Sequence, residues 1–406
     1  MRKPEILSPA GDHEKMKAAV RFGADAVYLS GKSFGMRSGC GNFTPDEMSD
    51  AIKYAHGRGV KVYITLNTMP RDNEYAELEK YIPAVCKLKP DAFIVADLGV
   101  MSLLHKLCPD AVIHVSTQTS IISSRAAMEY VKNYNAKRLV LARELSLSEI
   151  VRIRENVPEE IELEAFVHGA MCVSYSGRCL LSNHFTGRDG NSGMCAQPCR
   201  WNYKLFSLTE ERDETRTPGI MQTEEGTFIL SSRDMCMIDH IKELCEAGIS
   251  SFKIEGRMKS VYYAAATAYA YRHALDLYFD GKAPDPSDRI LLESVTHREY
   301  DTGYYFDSPS VDAKTVSKPG YIAERPYYGI VESYDEGTQT AKIRQKNKLC
   351  KGEPVSFLTP HGVTTPFIAE NMRNEEGEEI DSTPHPKQLF SLKTPYPVGE
   401  GGLLIH

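Results

Sequence analysis

The chain has 406 residues, a net charge of −7 at pH 7 and a hydrophobic fraction of 42%. This length accommodates one large domain and a smaller one, and the composition is that of an ordinary globular protein. The acidic balance disfavours nucleic-acid binding by bulk charge, and no apolar run is long enough to span a bilayer. The first residues, MRKPEILSPAGD, contain no apolar segment of a secretory signal, which predicts a cytoplasmic protein. Structural disulfides are rare in that compartment, so metal binding or catalysis is favoured over a disulfide for clustered cysteines.

A short apolar strand, a polar or glycine-containing turn and a helical stretch alternate along about the first 260 residues. Gly23, Gly59 and Gly248 stand where helix C-caps belong. This alternation is typical of a parallel α/β fold, and eight strands favour a (β/α)8, TIM-like barrel over a doubly wound sheet, which no GxGxxG supports. The predicted strands cover residues 4–10, 25–30, 60–67, 91–97, 112–118, 138–144, 161–169 and 251–256.

Residues 170–235 replace the short loop expected between the seventh and eighth strands. They contain a group of cysteines and an inserted β-hairpin, whose predicted strands cover 201–208 and 227–232. Helices are predicted to follow over 236–248 and 258–281.

The segment APDPS, near residue 283, marks a domain boundary. After it come short strands and turns, which predict a linker and a small all-β barrel or sandwich over 284–406. The pattern leaves open whether this domain offers a partner surface or caps the barrel of residues 1–283.

Polar residues recur at the ends of four predicted strands, where the active site of a (β/α)8 barrel lies. Alternation along a strand places such residues on one face, so they can converge on a polar ligand or pair to close the barrel ends. The sequence leaves both interpretations open. The residues are His114, Ser116 and Gln118, Arg143 and Glu144, Glu162, Glu164 and His168, with Phe166 on the same strand face as the last three, and Lys253, Glu255 and Arg257.

The loop GKSFGMRSGCGNFT follows the second strand and formally contains the G-x-S-x-G nucleophile elbow of hydrolases, with Ser33 as nucleophile. That motif requires a helix directly after the serine, whereas here the helix is predicted to begin near Thr44. A flexible loop that offers Arg37 to an anion fits better. The sequence contains no HExxH, so a zincin-type protease has no support.

Five cysteines lie between residues 172 and 236: Cys172, Cys179, Cys195, Cys199 and Cys236. Only Cys195 and Cys199 have the close spacing of structural zinc sites, while an iron–sulfur cluster tolerates a distant ligand, so the spacing selects neither metal. Cys236 is predicted at the start of a helix, where the helix dipole favours a thiolate. The other five, Cys40, Cys86, Cys108, Cys245 and Cys350, are isolated and are interpreted as small hydrophobic residues.

The segment EAFVHGAMCVSYSGRCLLS, residues 164–182, resembles the signature of the peptidase U32 family. The resemblance continues through PEILSPAGD, STQ, VLARE, CRW and FKIEGRMKS into the C-terminal domain, and is strongest to the tRNA hydroxylation branch. It implies formation of 5-hydroxyuridine at the tRNA wobble position, in the anticodon loop, with prephenate in place of molecular oxygen. Other branches hydroxylate a ribosomal RNA cytidine or ubiquinone precursors.

The resemblance also implies a [4Fe–4S] cluster, held by Cys172, Cys179, Cys195 and Cys236, with Cys199 as an alternative to Cys195. Because prephenate is a dicarboxylate, arginines should bind it, and the candidates are Arg37, Arg143, Arg178 and Arg257. Arg178 could instead pair with an acid, and Tyr175 could serve packing. The candidate catalytic residues are His114, His168, Tyr175 and Glu255.

Two other classes of function compete with an iron–sulfur tRNA hydroxylase. One is a peptidase, as the family name suggests, with Ser33 as its only nucleophile in a motif. The other is a non-catalytic RNA-binding protein or scaffold with structural zinc. A homo-oligomer, or a hetero-oligomer with a paralogue, is compatible with each.

Overall fold

The structure is a computed structural model and describes residues 2–37, 39–201, 203, 221–223, 226–228, 231–306, 321–322 and 327–406. Eight parallel strands form a barrel, and the last of them pairs with both the first and the seventh, which closes it. The predicted barrel and its eight strands are confirmed. They are β1 (Glu5–Pro9), β2 (Ala26–Ser30), β3 (Lys61–Leu66), β4 (Ala92–Val95), β5 (Ile113–Val115), β6 (Arg138–Val140), β7 (Glu162–Ala170) and β11 (Ser251–Ile254).

Helices follow the barrel strands and cover their outer side. Thr44 caps the second helix in a capping box with Glu47, as the predicted start at Thr44 requires. Gly23, Gly59 and Gly248 all have positive φ, which agrees with their predicted places after helices. These helices are α1 (His13–Arg21), α2 (Pro45–His56), α3 (Tyr75–Cys86), α4 (Leu98–Leu107), α5 (Ser124–Tyr134), α6 (Leu147–Glu155), α8 (Ile241–Glu246) and α9 (Val261–Phe279). A further short helix, α7 (Leu181–Thr186), lies in the insertion after β7.

The insertion between β7 and β11 adds strands outside the barrel. β8 (Met221–Thr223) and β9 (Gly226–Phe228) form a two-stranded hairpin, which lies mostly between the two predicted hairpin strands, 201–208 and 227–232. Most of the first predicted hairpin strand lies outside the described residues. β10 (Asp234–Cys236) pairs antiparallel with β7, and β12 (Tyr300–Asp301) pairs with β10, so the barrel wall is extended on one side.

The C-terminal part begins with a helix that the sequence analysis missed, α10 (Pro286–Ser294), which packs on α9. The predicted all-β domain is an antiparallel sheet with its own hydrophobic core. Its strands are β13 (Tyr327–Asp335), β14 (Thr340–Gln345), β15 (Pro354–Thr359), β16 (Gly362–Val363), β17 (Phe367–Ile368), β18 (Met372–Arg373), β19 (Leu389–Lys393) and β20 (Leu403–Ile405).

The C-terminal sheet packs against the helices α1 and α9 of the barrel. Tyr327 stacks on Tyr262 with ring centroids 5.6 Å apart, and Lys346 pairs with Glu14 at 2.9 Å. Leu403 and Ile405 belong to the same hydrophobic cluster as the barrel core. The domain therefore covers this side of the barrel. None of the described helices combines the length and the apolar character that crossing a bilayer requires.

Candidate functional site

The amino-terminal end of the barrel interior is filled by a network of buried ion pairs. Arg138 on β6 donates to Glu5 at 2.6 Å, to Glu162 at 2.6 Å and to Glu164 at 3.0 Å. Lys253 on β11 donates to the second oxygen of Glu164 at 2.6 Å. Burial alone would raise the pKa of Glu5, but Arg138 outweighs it and lowers that pKa. Glu162 and Glu164 therefore serve to close the barrel.

His114 lies in this inner layer rather than at the open end. Its ring contacts Tyr63 edge-on with centroids 4.7 Å apart, and only 4% of the residue is exposed. Burial and the nearby Arg138 and Lys253 lower its pKa well below the usual value. A neutral imidazole that does not line the cavity offers little to a reaction there, so the structure does not support a catalytic role for His114.

A cavity of about 210 Å³ opens at the carboxyl ends of the barrel strands. Its inner wall comes from the ends of the strands, and its outer wall comes from the loop after β2 and from residues 170–200. Among the predicted site residues, the cavity is lined by Arg37, Arg143, Tyr175, Glu255, Arg257, Cys172, Cys179 and Cys195. The position agrees with the general location of sites in (β/α)8 barrels.

The loop after β2 places Arg37 in the cavity through an unusual backbone conformation. Arg37 has φ of 74°, and its carbonyl oxygen accepts hydrogen bonds from the Cys40 backbone N–H at 3.1 Å and from the Asn42 side chain at 3.2 Å. Gly193 packs so closely that a Cβ there would lie 2.8 Å from the oxygen of Gly35. The insertion thus fixes the loop that carries Arg37.

Four cationic side chains from the ends of the barrel strands and the loop after β2 face the cavity, and three of them already have partners. Arg37 pairs with Glu255 at 3.5 Å. Arg143 donates to the carbonyl oxygen of Ala170 and to the Ser176 hydroxyl, both at 3.0 Å. Lys253 is held by Glu164, as described above.

The fourth cation, Arg257, has an incomplete set of partners. Only 3% of the residue is exposed, and its Nη1 has no hydrogen-bond partner among the described residues. Burial lowers its pKa, although the group remains a cation at neutral pH. A buried guanidinium with an unsatisfied donor at a cavity wall is suited to an anionic ligand.

Glu255 is the carboxylate at the centre of these cations. Burial would raise its pKa, but Arg37, Arg143 and Arg257 outweigh that effect and lower it. Glu255 is therefore ionised at neutral pH. It can accept a hydrogen bond or a proton, but it cannot act as a general acid in this state.

The two remaining predictions near the mouth have different outcomes. Tyr175 lines the cavity and is 37% exposed, and burial raises its pKa, so its phenol is protonated at neutral pH and can donate. Arg178 is exposed but does not line the cavity, and it lies near Tyr130 on the outer surface. The structure therefore does not bring Arg178 to the anion-binding group.

Four free thiols line the outer part of the cavity: Cys172, Cys179, Cys195 and Cys199. Burial raises the pKa of Cys199, and the neighbouring thiols of Cys172, Cys195 and Cys179 raise it further. In the described part of the chain, no three His, Cys, Asp or Glu side chains converge closely enough to hold a single metal ion. The arrangement is thus four thiols around one space rather than a compact single-ion site.

Cys236 does not lie with these thiols. It is the last residue of β10, not the start of a helix, and it is 3% exposed. The Tyr271 hydroxyl approaches its sulfur at 4.0 Å on the outer side of the barrel, against α9. Burial raises the pKa of Cys236 to about 11, and the prediction that Cys236 begins a helix is wrong.

His168 also points away from the cavity, although the strand pattern predicts it on the same face as Phe166. The pairing of β7 with β11 shifts register between Lys253 and Ile254, so the alternation along β7 is interrupted before His168. Its ring packs among Tyr263, Tyr271 and Tyr300. Burial lowers the pKa of His168 to about 3, and the neutral ring supports the wall.

Two further expectations can be compared with the structure. Ser33 lies in an extended loop, its hydroxyl 3.4 Å from Glu77, and the next helix begins only at Pro45, so the geometry of a nucleophile elbow is absent from this described loop. Cys86 and Cys108 form a disulfide between the ends of α3 and α4. Their interpretation as isolated hydrophobic residues is therefore wrong.

Sequence reasoning did not select several residues that complete the cavity. Arg188 and Arg200 line it from the insertion, and Tyr28, Thr65 and Asn67 line it from the barrel. The signal for the arginines was available, since both lie within the cysteine segment. The lining from β2 and β3 carries no motif and follows only from closure of the barrel.

The family comparison covers almost the whole chain. The profile of peptidase family U32 matches residues 11–315, and the profile of the family's C-terminal domain matches residues 324–404. The solved structure described as the U32 peptidase Mk0906 is 15% identical over 62% of this chain and 93% of its own, with a TM-score of 0.41.

Three curated relatives illustrate the names found in this family. "tRNA hydroxylation protein P1" of Bacillus subtilis is 36% identical over 97% of this chain and 92% of the relative. "Uncharacterized protease MJ0090" of Methanocaldococcus jannaschii is 43% identical over 74% of this chain and 73% of the relative. "23S rRNA 5-hydroxycytidine C2501 synthase" of Escherichia coli is 36% identical over 78% of this chain, which spans 47% of that relative.

Proposed function

This chain belongs to peptidase family U32, and we propose that it is an RNA-modifying hydroxylase. Its substrate in this proposal is tRNA, in which it forms 5-hydroxyuridine at the wobble position. Prephenate takes the place of molecular oxygen, and a [4Fe–4S] cluster is the cofactor. The observation that carries the proposal is that four free thiols and a group of cations, of which Lys253 and Arg257 are buried, line one cavity at the mouth of the barrel.

The cationic wall supports a dicarboxylate co-substrate. Arg257 has an unsatisfied Nη1 in the described structure, and Arg37 can exchange its 3.5 Å pairing with Glu255 for a carboxylate. Arg143 is fixed by Ala170 and Ser176, so it supplies a positioned positive charge. Arg178 is not part of this proposal because it lies on the outer surface.

The thiols fit an iron–sulfur cluster better than a single ion. In a [4Fe–4S] cluster each cysteine binds a different iron, so the thiols surround the group instead of converging on one point. Cys172, Cys179, Cys195 and Cys199 are the proposed ligands, and Cys199 replaces Cys236 because only Cys199 reaches the cavity. When bound, such a cluster would supply the one-electron chemistry that protein side chains lack.

The remaining residues of the cavity suit binding and proton handling. Glu255 is ionised and can accept a proton from a bound substrate, while the Tyr175 phenol can donate a hydrogen bond at the mouth. The phenyl ring of Phe166 and the strand ends limit water at the inner wall. The proposed role of Tyr175 is thus to orient the substrate base, and that of Glu255 is to accept its proton.

The names of the relatives favour tRNA over other RNA substrates. The relative named for tRNA hydroxylation aligns over nearly its full length, whereas the chain spans about half of the relative named for ribosomal RNA. One relative is named a protease, but Ser33, the serine of the G-x-S-x-G motif, is not followed by a helix until Pro45. RNA hydroxylation is therefore the better-supported activity.

Mass spectrometry of tRNA nucleosides from a strain that lacks the gene tests the substrate. We expect 5-hydroxyuridine-derived nucleosides to fall when the gene is removed and to return with the parent gene. Nucleosides that remain unchanged in a strain without a second copy of the activity would contradict the tRNA assignment. A loss of 5-hydroxycytidine from ribosomal RNA instead would move the substrate to rRNA.

Iron and sulfide analysis of anaerobically reconstituted protein tests the ligands. We expect about four irons per chain in the parent and in Cys236→Ser, because the Cys236 thiol lies outside the cavity. Cys199→Ser should lose most of the iron while the chain remains folded by circular dichroism. Retention of iron by Cys199→Ser together with its loss from Cys236→Ser would return Cys236 to the ligand set.

A further inference from the structure

A cluster of aromatic side chains lies on the surface beside the cavity mouth. Phe185 is 53% exposed and Trp201 is 40% exposed. Their ring centroids lie 6.4 Å apart, and each also lies 6.4 Å from the ring of Tyr203. His184 contacts Phe185 edge-on at 5.3 Å. We call His184, Phe185, Trp201 and Tyr203 the aromatic rim.

Hydrogen bonds hold the rim in place. The indole Nε1 of Trp201 donates to the carbonyl oxygen of Ala196 at 3.3 Å, and the Tyr203 hydroxyl donates to that of Pro198 at 2.7 Å. The backbone N–H of Ala196 donates to the Ser182 hydroxyl at 2.9 Å, which joins this segment to the helix that carries Phe185. The rings are therefore positioned rather than merely left at the surface.

The same segment is locally basic in an acidic protein. Residues 171–203 contain three arginines, Arg178, Arg188 and Arg200, and one acid, Asp189, whereas the whole chain carries −7. The Asp189 carboxylate accepts hydrogen bonds from Asn191 and Ser192. Arg188 is exposed and makes no ion pair with the residues that the structure describes. The surface around the rim is thus complementary to a polyanion.

The rim is continuous with the cavity. Arg188 and Arg200 line the cavity; Arg200 adjoins Trp201 in sequence, and Arg188 lies three residues after Phe185. Arg200 also donates to Gln197, another lining residue, at 2.7 Å. A chain that crosses the rim therefore reaches the mouth directly. Rings that are exposed, rigid and flanked by arginines are the features that bind unpaired nucleotides, through stacking on bases and pairing with phosphates.

We propose that the aromatic rim is the docking surface for a single-stranded RNA segment, on which the nucleotides that flank the target base stack while that base enters the cavity. The proposal rests on the proposed function and adds the surface that selects an unpaired loop over a duplex. Phe185 and Trp201 are the stacking residues, and Arg188 contacts a phosphate.

The fluorescence of Trp201 offers a direct test, because it is the only tryptophan in the chain. The holoprotein is titrated with an RNA stem-loop that has a seven-nucleotide loop and with a fully paired duplex of equal length. Fluorescence anisotropy of labelled RNA reports binding in parallel. We expect the stem-loop to quench Trp201 emission as it binds, and the duplex to bind weakly without quenching.

Variants separate stacking from general folding. Phe185→Ala and Trp201→Ala should each weaken stem-loop binding by about 5- to 150-fold, and Trp201→Phe should restore most of it. Arg188→Ala should reduce the dependence of binding on salt. Phe279→Ala removes an exposed ring at the other end of the molecule, beside Lys3, and should bind as the parent does.

Each outcome decides between the two proposals. Stem-loop binding without quenching of Trp201, or equal affinity of Phe185→Ala and the parent, would contradict the proposal that the aromatic rim binds RNA. If hydroxylated nucleosides still depend on the gene in that case, the proposed function stands and only the surface is wrong. If neither RNA binding nor gene-dependent hydroxylation is seen, both proposals fail.

Discussion

The two ends of the barrel interior both contain buried charges, but they treat those charges differently. At the amino-terminal end, Arg138 is shared among Glu5, Glu162 and Glu164, and the pairs lie within 3.0 Å. At the carboxyl end, Arg257 is equally buried, yet its Nη1 has no hydrogen-bond partner in the described structure. The first arrangement is complete without a ligand, and the second is not.

Whether a buried charge has a full set of partners distinguishes structural residues from binding residues more clearly than residue type does. Buried ion pairs that satisfy each other hold a barrel closed, whereas a buried cation with a free donor costs stability unless a ligand completes it. Replacing the central cation at each end should therefore have different effects. Replacing Arg138 at the amino-terminal end should lower the stability of the fold, whereas replacing Arg257 at the carboxyl end should weaken ligand binding.

The largest effect is expected on stability, at the amino-terminal end of the barrel interior. Arg138→Met leaves Glu5 buried without its main partner and removes one of the two cationic partners of Glu164, which should lower the free energy of unfolding by about 3–5 kcal/mol. Chemical denaturation measures it. Arg344→Ala is the matched control, since its pair with Glu332 is half exposed and should matter little. A loss in Arg138→Met no larger than in this control would remove the distinction between the two ends.

At the mouth, Arg257→Gln should weaken prephenate binding by about 10- to 100-fold, because a charged hydrogen bond is removed. The free energy of unfolding should not fall, since the substitution removes a buried charge that lacks a full set of partners. Calorimetry gives the affinity and denaturation gives the stability. Unchanged affinity together with marked destabilisation would place Arg257 with the structural charges instead.

The pH dependence of stability distinguishes His168, which is buried in the barrel wall, from the residues that line the cavity mouth. Because the folded chain holds the pKa of His168 at about 3, the unfolded chain takes up a proton below about pH 6.5 that the folded chain does not. Stability should therefore fall as the pH falls, by about 1.4 kcal/mol per unit between pH 6 and pH 4 from this residue. His168→Gln should reduce that slope while leaving prephenate affinity unchanged. An equal slope in both proteins would show that burial of His168 is not its source.

The sequence predicted the barrel well because the local signals agree with one another. Strand length, glycines after helices and the helix start predicted near Thr44 each mark a boundary, and all agree with the same topology. The arginines at strand ends were predicted for the same reason, since Arg143 and Arg257 follow strands whose ends must meet. Periodicity is a reliable guide as long as each strand stays regular.

The errors arise where regularity ends. The register shift in β7 turns His168 to the outside, and no sequence pattern marks a bulge of this kind. Cys236 belongs to an added strand, which the apolar pattern of a helix concealed. The pairing of Cys86 with Cys108 depends on two helix ends that meet only in the fold. These features follow from tertiary contacts, which spacing along the chain does not encode.

The seam of the barrel has a consequence for how the protein is made. β1 and β11 pair in parallel, with Ser251 opposite Glu5 in the register. Nearly the whole sequence of the barrel therefore separates these two strands along the chain. During synthesis, seven strands leave the ribosome while β1 still has an unpaired edge, and closure waits for the eighth. The C-terminal sheet emerges last and packs on α1 and α9, the two helices that flank that seam. Because of this order of synthesis, the barrel closes late, and the C-terminal domain is the last part of the chain to pack against the closed seam.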